Sequence, residues 1–292
     1  MKQLLIVNPT AGGGRAGRRW SELGPRVGER AEVLLAPSAE ATREGITRAL
    51  QSGFRRVIAF GGDGTANLVI SSLLAAGRGD VEVGIVPAGT ASDFARFVGL
   101  PRSPGRALEL ALDHRETKTI DAIAVRFASG ATRYCLNIAS AGLSGFVDQA
   151  VHRENSGNYL LATIKALLAY EPKSCRVEVD GQPFYEGKFF VLAMANGRFF
   201  GKGMKVAPHA LVDDGKLDVV LVETVPRWHL PIRLPQFLLG WHTRAKVVQE
   251  TRATRVALYP GPDYPPFDLD GEPVACENAE VEILPGALRL VV

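Results

Sequence analysis

The sequence predicts two domains: an α/β N-terminal domain, built as a parallel sheet with helices on both faces, and a β-rich, mostly antiparallel second domain. Three observations predict this. A short apolar strand, a tight turn and a helix recur four times within the first 125 residues, a rhythm that builds parallel sheets covered on both faces. Beyond about Asp121, strands of alternating character are joined by glycine and proline turns instead. And 292 residues, 46% hydrophobic and 22% charged, suffice for one large or two modest cores and resemble no disordered, collagen-like or disulfide-scaffold chain. The expected boundaries are 1–121 and 122–292, with the option that the last strand returns to the first domain.

The elements follow in order. Gln3 to Asn8 is an apolar strand closed by Pro9 and a glycine run; a helix-compatible stretch from Arg15 to Arg30 follows, then a strand, Ala31 to Leu35. Ala39 to Ser52 reads as a helix because Ile46, Ala49 and Leu50 fall at helical spacing and Ser38 suits its cap. Arg56 to Phe60 is the third strand, and a helix is expected from Asn67 to Ala76. Val81 to Val86 is the fourth strand, and a helix starts at Asp93. The second domain is expected to hold strands at Arg133–Ile138, Cys175–Val179, Phe189–Ala195, Leu217–Val222 and Arg255–Leu258, with one helix from Asn158 to Tyr170.

Several function classes drop out early. A net charge of +3 does not argue for a nucleic-acid partner. Cys135, Cys175 and Cys276 are odd in number and scattered, which suits reduced thiols and no zinc site. No apolar run reaches the ~20 residues a bilayer span needs, and the four-residue run before Asn8 is too short for a signal core. A cytoplasmic protein is the expectation.

The chemistry gathers in three turns that follow parallel strands: Asn8 to Gly14, Gly61-Gly62-Asp63-Gly64-Thr65, and Pro87-Ala88-Gly89-Thr90. Glycines let backbone N–H groups approach phosphate oxygens, and a helix N-terminus adds partial positive charge. Thr65 and Thr90 could donate hydroxyls. Asp63 beside phosphates would repel them unless a cation intervenes, which makes it a candidate for the Mg²⁺ of a nucleoside triphosphate. Gly12-Gly13-Gly14-Arg15-Ala16-Gly17 formally matches the dinucleotide fingerprint. The acid it would use, Glu32, opens the second strand rather than closing it, so that reading is rejected. A GxxxxGK[ST] loop and the protein-kinase HRD and DFG signatures are absent.

These residues resemble the diacylglycerol-kinase-type lipid kinases, in particular their bacterial soluble branch. Asn8-Pro9 with its glycines is similar to the family's opening motif, and Gly61 to Thr65 with Asn67 to its signature loop. Gly89-Thr90 followed by Asp93-Phe94-Ala95-Arg96 matches a third motif. The second domain matches through Asn137 to Gly142, Asn196-Gly197 with Phe200 to Met204, Asp213 to Asp218, and Asp270-Gly271-Glu272. The resemblance implies an ATP cleft between two domains and transfer of the γ-phosphoryl of ATP to a lipid hydroxyl. It implies that Asn8, Gly61, Gly62, Asp63, Gly64, Thr65, Ala66, Asn67, Gly89 and Thr90 hold MgATP. Glu272 would act as the base, with Asp63 also catalytic, and Leu211, Asp214 and Lys216 would hold a structural Mg²⁺. A carboxylate raised in pKa by burial beside a lipid pocket would suit the base, although Asp-Gly is also a common hairpin turn.

Two departures stand out. Ser92 occupies a position where the family usually has Asn, and near Ala36 the family's Thr is missing, Ser38 being the nearest hydroxyl. Trp228 to Trp241, with Arg227, Arg233, Arg244 and Lys246, could form an interfacial segment toward anionic lipid, which would make the membrane association peripheral and transient. A core-facing helix with solvated bases explains the same pattern. Sheet edges of the second domain could pair in a homodimer. Two other readings remain open: a soluble-metabolite kinase of the NAD-kinase type, and a non-catalytic nucleotide- or lipid-binding regulator.

Overall fold

A computed structural model describes residues 2–90, 92–147, 169–200, 203–224, 236, 239–262 and 264–292. The chain forms two compact units, residues 1–122 with 285–292, and residues 123–284.

The first unit alternates β1 (Gln3–Val7), α1 (Arg15–Leu23), β2 (Glu32–Leu35), α2 (Ala39–Gln51), β3 (Arg56–Gly61), α3 (Asp63–Ala75), β4 (Glu82–Pro87), α4 (Asp93–Phe97) and α5 (Pro104–Asp113). The strands lie in the order β4-β3-β1-β2, all parallel. Every residue of β3 is buried, as expected of a strand covered on both faces. Helix α2 shows how directly sequence can dictate structure. The Ser38 hydroxyl accepts the Ala41 N–H at 3.1 Å, and Thr42, Gly45, Ile46 and Ala49 form its buried stripe at helical spacing. Arg56 of β3 is buried and bridges elements: it donates to Glu82 of β4 at 2.6 Å and to the carbonyls of Ala111 and His114 beside α5.

The second unit takes up β5 (Thr117–Phe127), β6 (Thr132–Cys135), β7 (Ile138–Gly142), β8 (Ser174–Val179), β9 (Gln182–Ala195), β10 (Phe199–Phe200), β11 (Met204–Lys205), β12 (Leu217–Glu223), β13 (Val248–Ala253), β14 (Arg255–Pro260), β15 (Phe267–Leu269), β16 (Glu272–Val274) and β17 (Ala279–Val291). Its pairings are antiparallel: β9 pairs with β7, β8 and β12, β13 with β12, β14 with β8 and β17, and β15 with β7 and β16. Alternate residues of these strands, such as Cys175 and Val177 or Leu217, Val219 and Leu221, fill one core with Phe189, Phe267 and Leu258. The end of β17 belongs to the first unit, where Arg289 and Leu290 pair parallel with Glu82 and Val83 of β4.

Two element expectations are corrected. The strand expected over Arg133–Ile138 is two strands, β6 and β7. The N–H groups of Leu136, Asn137 and Ile138 at the break are claimed by the Asp270 carboxylate. The helix expected from Asn67 begins at Asp63, because the Gly62 carbonyl already accepts the N–H groups of Thr65 and Ala66. The helix expected over 158–170 falls almost wholly outside the described residues. No helix among the described residues is long and apolar enough to cross a membrane.

Candidate active site

In the first unit, three glycine turns meet at the ends of β1, β3 and β4. The Gly61 carbonyl accepts the N–H groups of Ala88 at 2.7 Å and Gly89 at 3.1 Å. A Cβ on Gly89 would lie 2.5 Å from the Gly62 Cα, and one on Gly61 would lie 2.4 Å from the Thr65 hydroxyl. Glycine at 89 thus allows backbone to approach backbone, and glycine at 61 makes room for the Thr65 side chain. Asn8 ties the first turn to the second, donating from Nδ2 to Thr65 Oγ1 at 3.2 Å, while its Oδ1 accepts from Thr10. Gly64 and Thr90 are exposed, whereas Thr65, Ala66 and Asn67 are buried. Thr65 thus spends its hydroxyl inside the turn rather than facing outward. Asn67 Oδ1 is buried with no hydrogen-bond partner.

Asp63 sits on the first turn of α3 and accepts the N–H groups of Asp93 at 3.2 Å and Phe94 at 3.3 Å. A carboxylate there satisfies donors at the start of α4. A cavity of about 10 Å³, room for about one water, opens beside it among Gly61, Gly62, Ala66, Ile85, Pro87 and Ser92. Ser92 adopts φ 53°, the left-handed region, which Asn tolerates better than Ser.

In the second unit, β15, Asp270, Gly271 and β16 form a hairpin. Asp270 (φ 54°) and Gly271 (φ 86°) are its two turn residues, the left-handed pair that such turns need. Two carboxylates hold it. Asp268 accepts the Gly271 N–H at 2.7 Å and the Ser140 hydroxyl at 3.2 Å, and Ser140 lies 2.7 Å from Ser144. Asp270 accepts from Leu136 at 2.7 Å, Asn137 at 3.1 Å and Ile138 at 2.8 Å. Burial pushes the Asp270 carboxyl up to about 7, against the pull of those three donors. Asn196 donates to the Leu136 carbonyl at 2.9 Å, and Asn137 to the Phe199 carbonyl at 2.6 Å. Motifs far apart in sequence, at 137, 196–199 and 268–272, therefore share one patch. Asp268 and Ser144 were not singled out from sequence, Ser140 lay in the 137–142 motif without a role, and only the fold joins them. Lys202 and Gly201 lie outside the described residues.

Glu272 opens β16 with its side chain exposed, so the expected burial beside an apolar pocket is not found. Of the hairpin's carboxylates, Asp268 is buried, and Asp270 is half-buried with its carboxyl group turned in toward the chain break.

Residues 2–125 match the family model described as the diacylglycerol kinase catalytic domain, and residues 137–292 match that of the YegS C-terminal NAD kinase beta sandwich-like domain. Lipid kinase YegS of Escherichia coli (strain K12) is 31% identical over 255 residues, covering 84% of this chain and 80% of that protein. The chain belongs to the diacylglycerol-kinase-type lipid kinases. Two solved structures share this family's fold. A diacylglycerol kinase from Bacillus anthracis str. Sterne superposes with a TM-score of 0.75 at 22% identity, covering 99% of this chain and 96% of that one. An NAD kinase from Archaeoglobus fulgidus in complex with ATP does so at 0.55 and 14%, covering 100% and 94%.

For this lipid-kinase chain, the loop bearing Leu211, Asp214 and Lys216 has its charge already met. Asp214 accepts the Lys216 N–H at 3.1 Å through Oδ1 and pairs with the Arg252 guanidinium through Oδ2. An ion at this place would share the Asp214 carboxylate with the half-exposed Arg252 and take its other ligands from main-chain oxygens and water. The described residues contain no cluster of three or more His, Cys, Asp or Glu side chains placed to hold a metal. On the next strand Asp218 has its carboxyl pushed up to about 6 by burial and by Glu250, against His209 and Arg198.

Proposed function

We propose that this chain transfers the γ-phosphoryl of MgATP to the hydroxyl of a membrane lipid, such as diacylglycerol, with Glu272 as general base. The observation that carries this reading is the setting of Glu272. It is an exposed carboxylate on a hairpin held on one side by Asp268 with Ser140 and on the other by Asp270 with three backbone donors. A rigid support presenting a solvent-facing carboxylate suits a base that must meet a substrate hydroxyl.

In this scheme the lipid oxygen forms a bond to the γ-phosphorus, the bond from phosphorus to the β–γ bridging oxygen breaks, and ADP leaves with that electron pair. The lipid hydroxyl proton passes to Glu272. Such a transition state asks the protein for positioning and charge neutralisation. The glycine turns, with the N-terminus of α3, would cradle the phosphates through backbone N–H groups. Mg²⁺ would neutralise charge on the phosphates, held from the protein side by Asp63, as is usual for an ion bound by one carboxylate plus phosphate oxygens. Asn8 and Thr65 would act from beneath, fixing the turn.

A soluble acceptor is the second reading, favoured by the fold shared with the NAD kinase. The test is transfer of labelled γ-phosphate from MgATP to a panel of lipid alcohols in mixed micelles and to soluble alcohols. Glu272→Gln and Asp63→Asn are run alongside. A labelled lipid in the wild type, lost in both variants, supports the scheme. Label only in a soluble acceptor, or none despite ATP binding, sinks it. Undiminished transfer by Glu272→Gln removes Glu272 from the role of base.

A further inference from the structure

A turn in the second unit displays large apolar side chains among bases. Leu239 is 50% exposed and Trp241 60% exposed, the second of these being the most exposed large apolar side chain among the described residues. Between them and beyond, the chain winds tightly: the Trp241 N–H donates to the Gln236 carbonyl at 2.8 Å, Arg244 to Trp241 at 3.2 Å, and Ala245 to His242 at 2.9 Å. His242 points the other way. It is fully buried, with Nε2 3.0 Å from the Val206 carbonyl, and burial lowers its pKa. Gly240 packs against Lys205 and Pro208, since a Cβ there would stand 3.3 to 3.4 Å from their side chains. The turn is thus pinned to the stretch after β11, and Leu239 and Trp241 are held outward rather than left loose.

The turn and the stretch beside it carry bases and no acid, the nearest acids along the chain being the exposed Asp213 and Glu250. Residues 203–211 and 239–246 contain Lys205, Arg244 and Lys246, two histidines, and no Asp or Glu. Lys205, Arg244 and Lys246 are exposed. Exposing a tryptophan indole to water is unfavourable, and its apolar body with one N–H donor suits the boundary between headgroups and acyl chains. Basic side chains beside it gain from an anionic surface.

We propose that the turn Leu239–Lys246, with Lys205 beside it, is the surface by which this protein docks on an anionic lipid bilayer. Trp241 and Leu239 enter the headgroup layer, while Lys205, Arg244 and Lys246 meet the lipid phosphates. His242 is the peg that keeps the turn in place. This surface gives the lipid-kinase reading its route to a membrane-bound acceptor and rests on that reading for its purpose, but its binding needs no catalysis.

The experiment is co-sedimentation of the full chain, without ATP, with vesicles of phosphatidylcholine alone or mixed with phosphatidylglycerol. The wild type is expected to bind the mixed vesicles, to bind the neutral ones weakly, and to be released by salt. Arg244→Gln and Lys246→Gln should each weaken binding about fivefold, and Leu239→Ser with Trp241→Ser should weaken it by more than tenfold. Val33→Ser with Leu35→Ser, the exposed apolar pair on β2 of the first unit, should bind as wild type does. Thermal unfolding checks that each variant is folded, and the Gln variants carry the test if the Ser pair is not. Equal binding to both vesicle types, or unchanged binding by the variants, overturns the proposal. So does a change of oligomeric state in the Leu239/Trp241 variant, which would make this face an interface between copies. Vesicle binding without lipid phosphorylation would leave the surface standing and sink the kinase scheme alone. Undiminished turnover of a dissolved short-chain acceptor by a variant that no longer binds vesicles would separate docking from chemistry.

Discussion

Replacing Gly89 by Ala, with Gly64→Ala as its partner experiment, separates packing from ligand contact in the first unit. The added Cβ at Gly89 would lie 2.5 Å from the Gly62 Cα and 3.2 Å from its nitrogen. Carbon atoms rest at about 3.5–4.0 Å, so one turn must retreat by roughly 1 Å. Both contacts are backbone, and the hydrogen bonds from Ala88 and Gly89 to the Gly61 carbonyl resist the shift. Overpacking of this kind costs about 2 kcal/mol, or a fall of about 4–8 °C in Tm. A displacement of about 1 Å in a positioning turn lowers turnover by about a hundredfold. At Gly64 an added Cβ meets nothing within 4 Å, and alanine favours the helix by up to about 1 kcal/mol. Gly64→Ala should therefore keep or raise Tm, yet weaken ATP binding if phosphates rest on the start of α3. Differential scanning fluorimetry and ATP titration calorimetry read the two effects separately. An unchanged Tm for Gly89→Ala would refute the packing argument, and wild-type ATP affinity for Gly64→Ala would remove the nucleotide from this turn.

Ser92→Gly should raise stability by about 1 kcal/mol, because it relieves the left-handed strain at φ 53°, and Ser92→Asn should give part of that gain; urea unfolding midpoints measure both. Arg56→Met should lower stability by about 2–3 kcal/mol, since Glu82 keeps only Arg289 at 3.3 Å and the Ala111 and His114 carbonyls lose their donor, with Tm as the readout. The raised Asp218 carboxyl favours the protonated form in the folded chain, so its stabilising contribution is full at pH values below about 3.8 and is lost as pH rises through about 6. Asp218→Asn should remove that loss and gain about 1 kcal/mol at pH 8 and little at pH 4, a figure discounted because solvent screens a half-exposed group. Unfolding curves at the two pH values decide it.

The first unit was readable because its determinants are local. Ser38 and the stripe from Thr42 to Ala49 lie within one helix, and the buried run of β3 announces itself. The second unit was readable as alternating strands but not in its breaks. Chain continuity alone would carry Arg133 to Ile138 through as one strand; the carboxylate that ends it, Asp270, is more than 130 residues away. The same distance hid the site's supports. Motif residues 137–142, 196 and 270 could be quoted from the sequence, but Ser144 and Asp268 have no local signature, and Ser140 acquires its role only when β7 and β15 pair. Exposure of Glu272 follows from its place in a two-residue hairpin, and Asp-Gly did signal that turn. The pairing of Asp214 with Arg252 arises because β12 and β13 lie antiparallel, which sequence spacing does not reveal.

The path of β17 has a consequence for the order of events at the ribosome. Its first half pairs with β14 and its last residues lie beside β4, and the Gly286 N–H in between is held by the buried Asp121 carboxylate of β5. β4 is made early, yet its neighbour on that side emerges only after all of the second unit has been synthesised. An N-terminal fragment therefore carries an open sheet edge, a template for wrong pairing. The domain that leaves the ribosome first is completed last, in contrast to the usual N-to-C succession of domain folding. Clipping only its last residues would bare β4 at Glu82 and Val83 and leave the pairing with β14 in place.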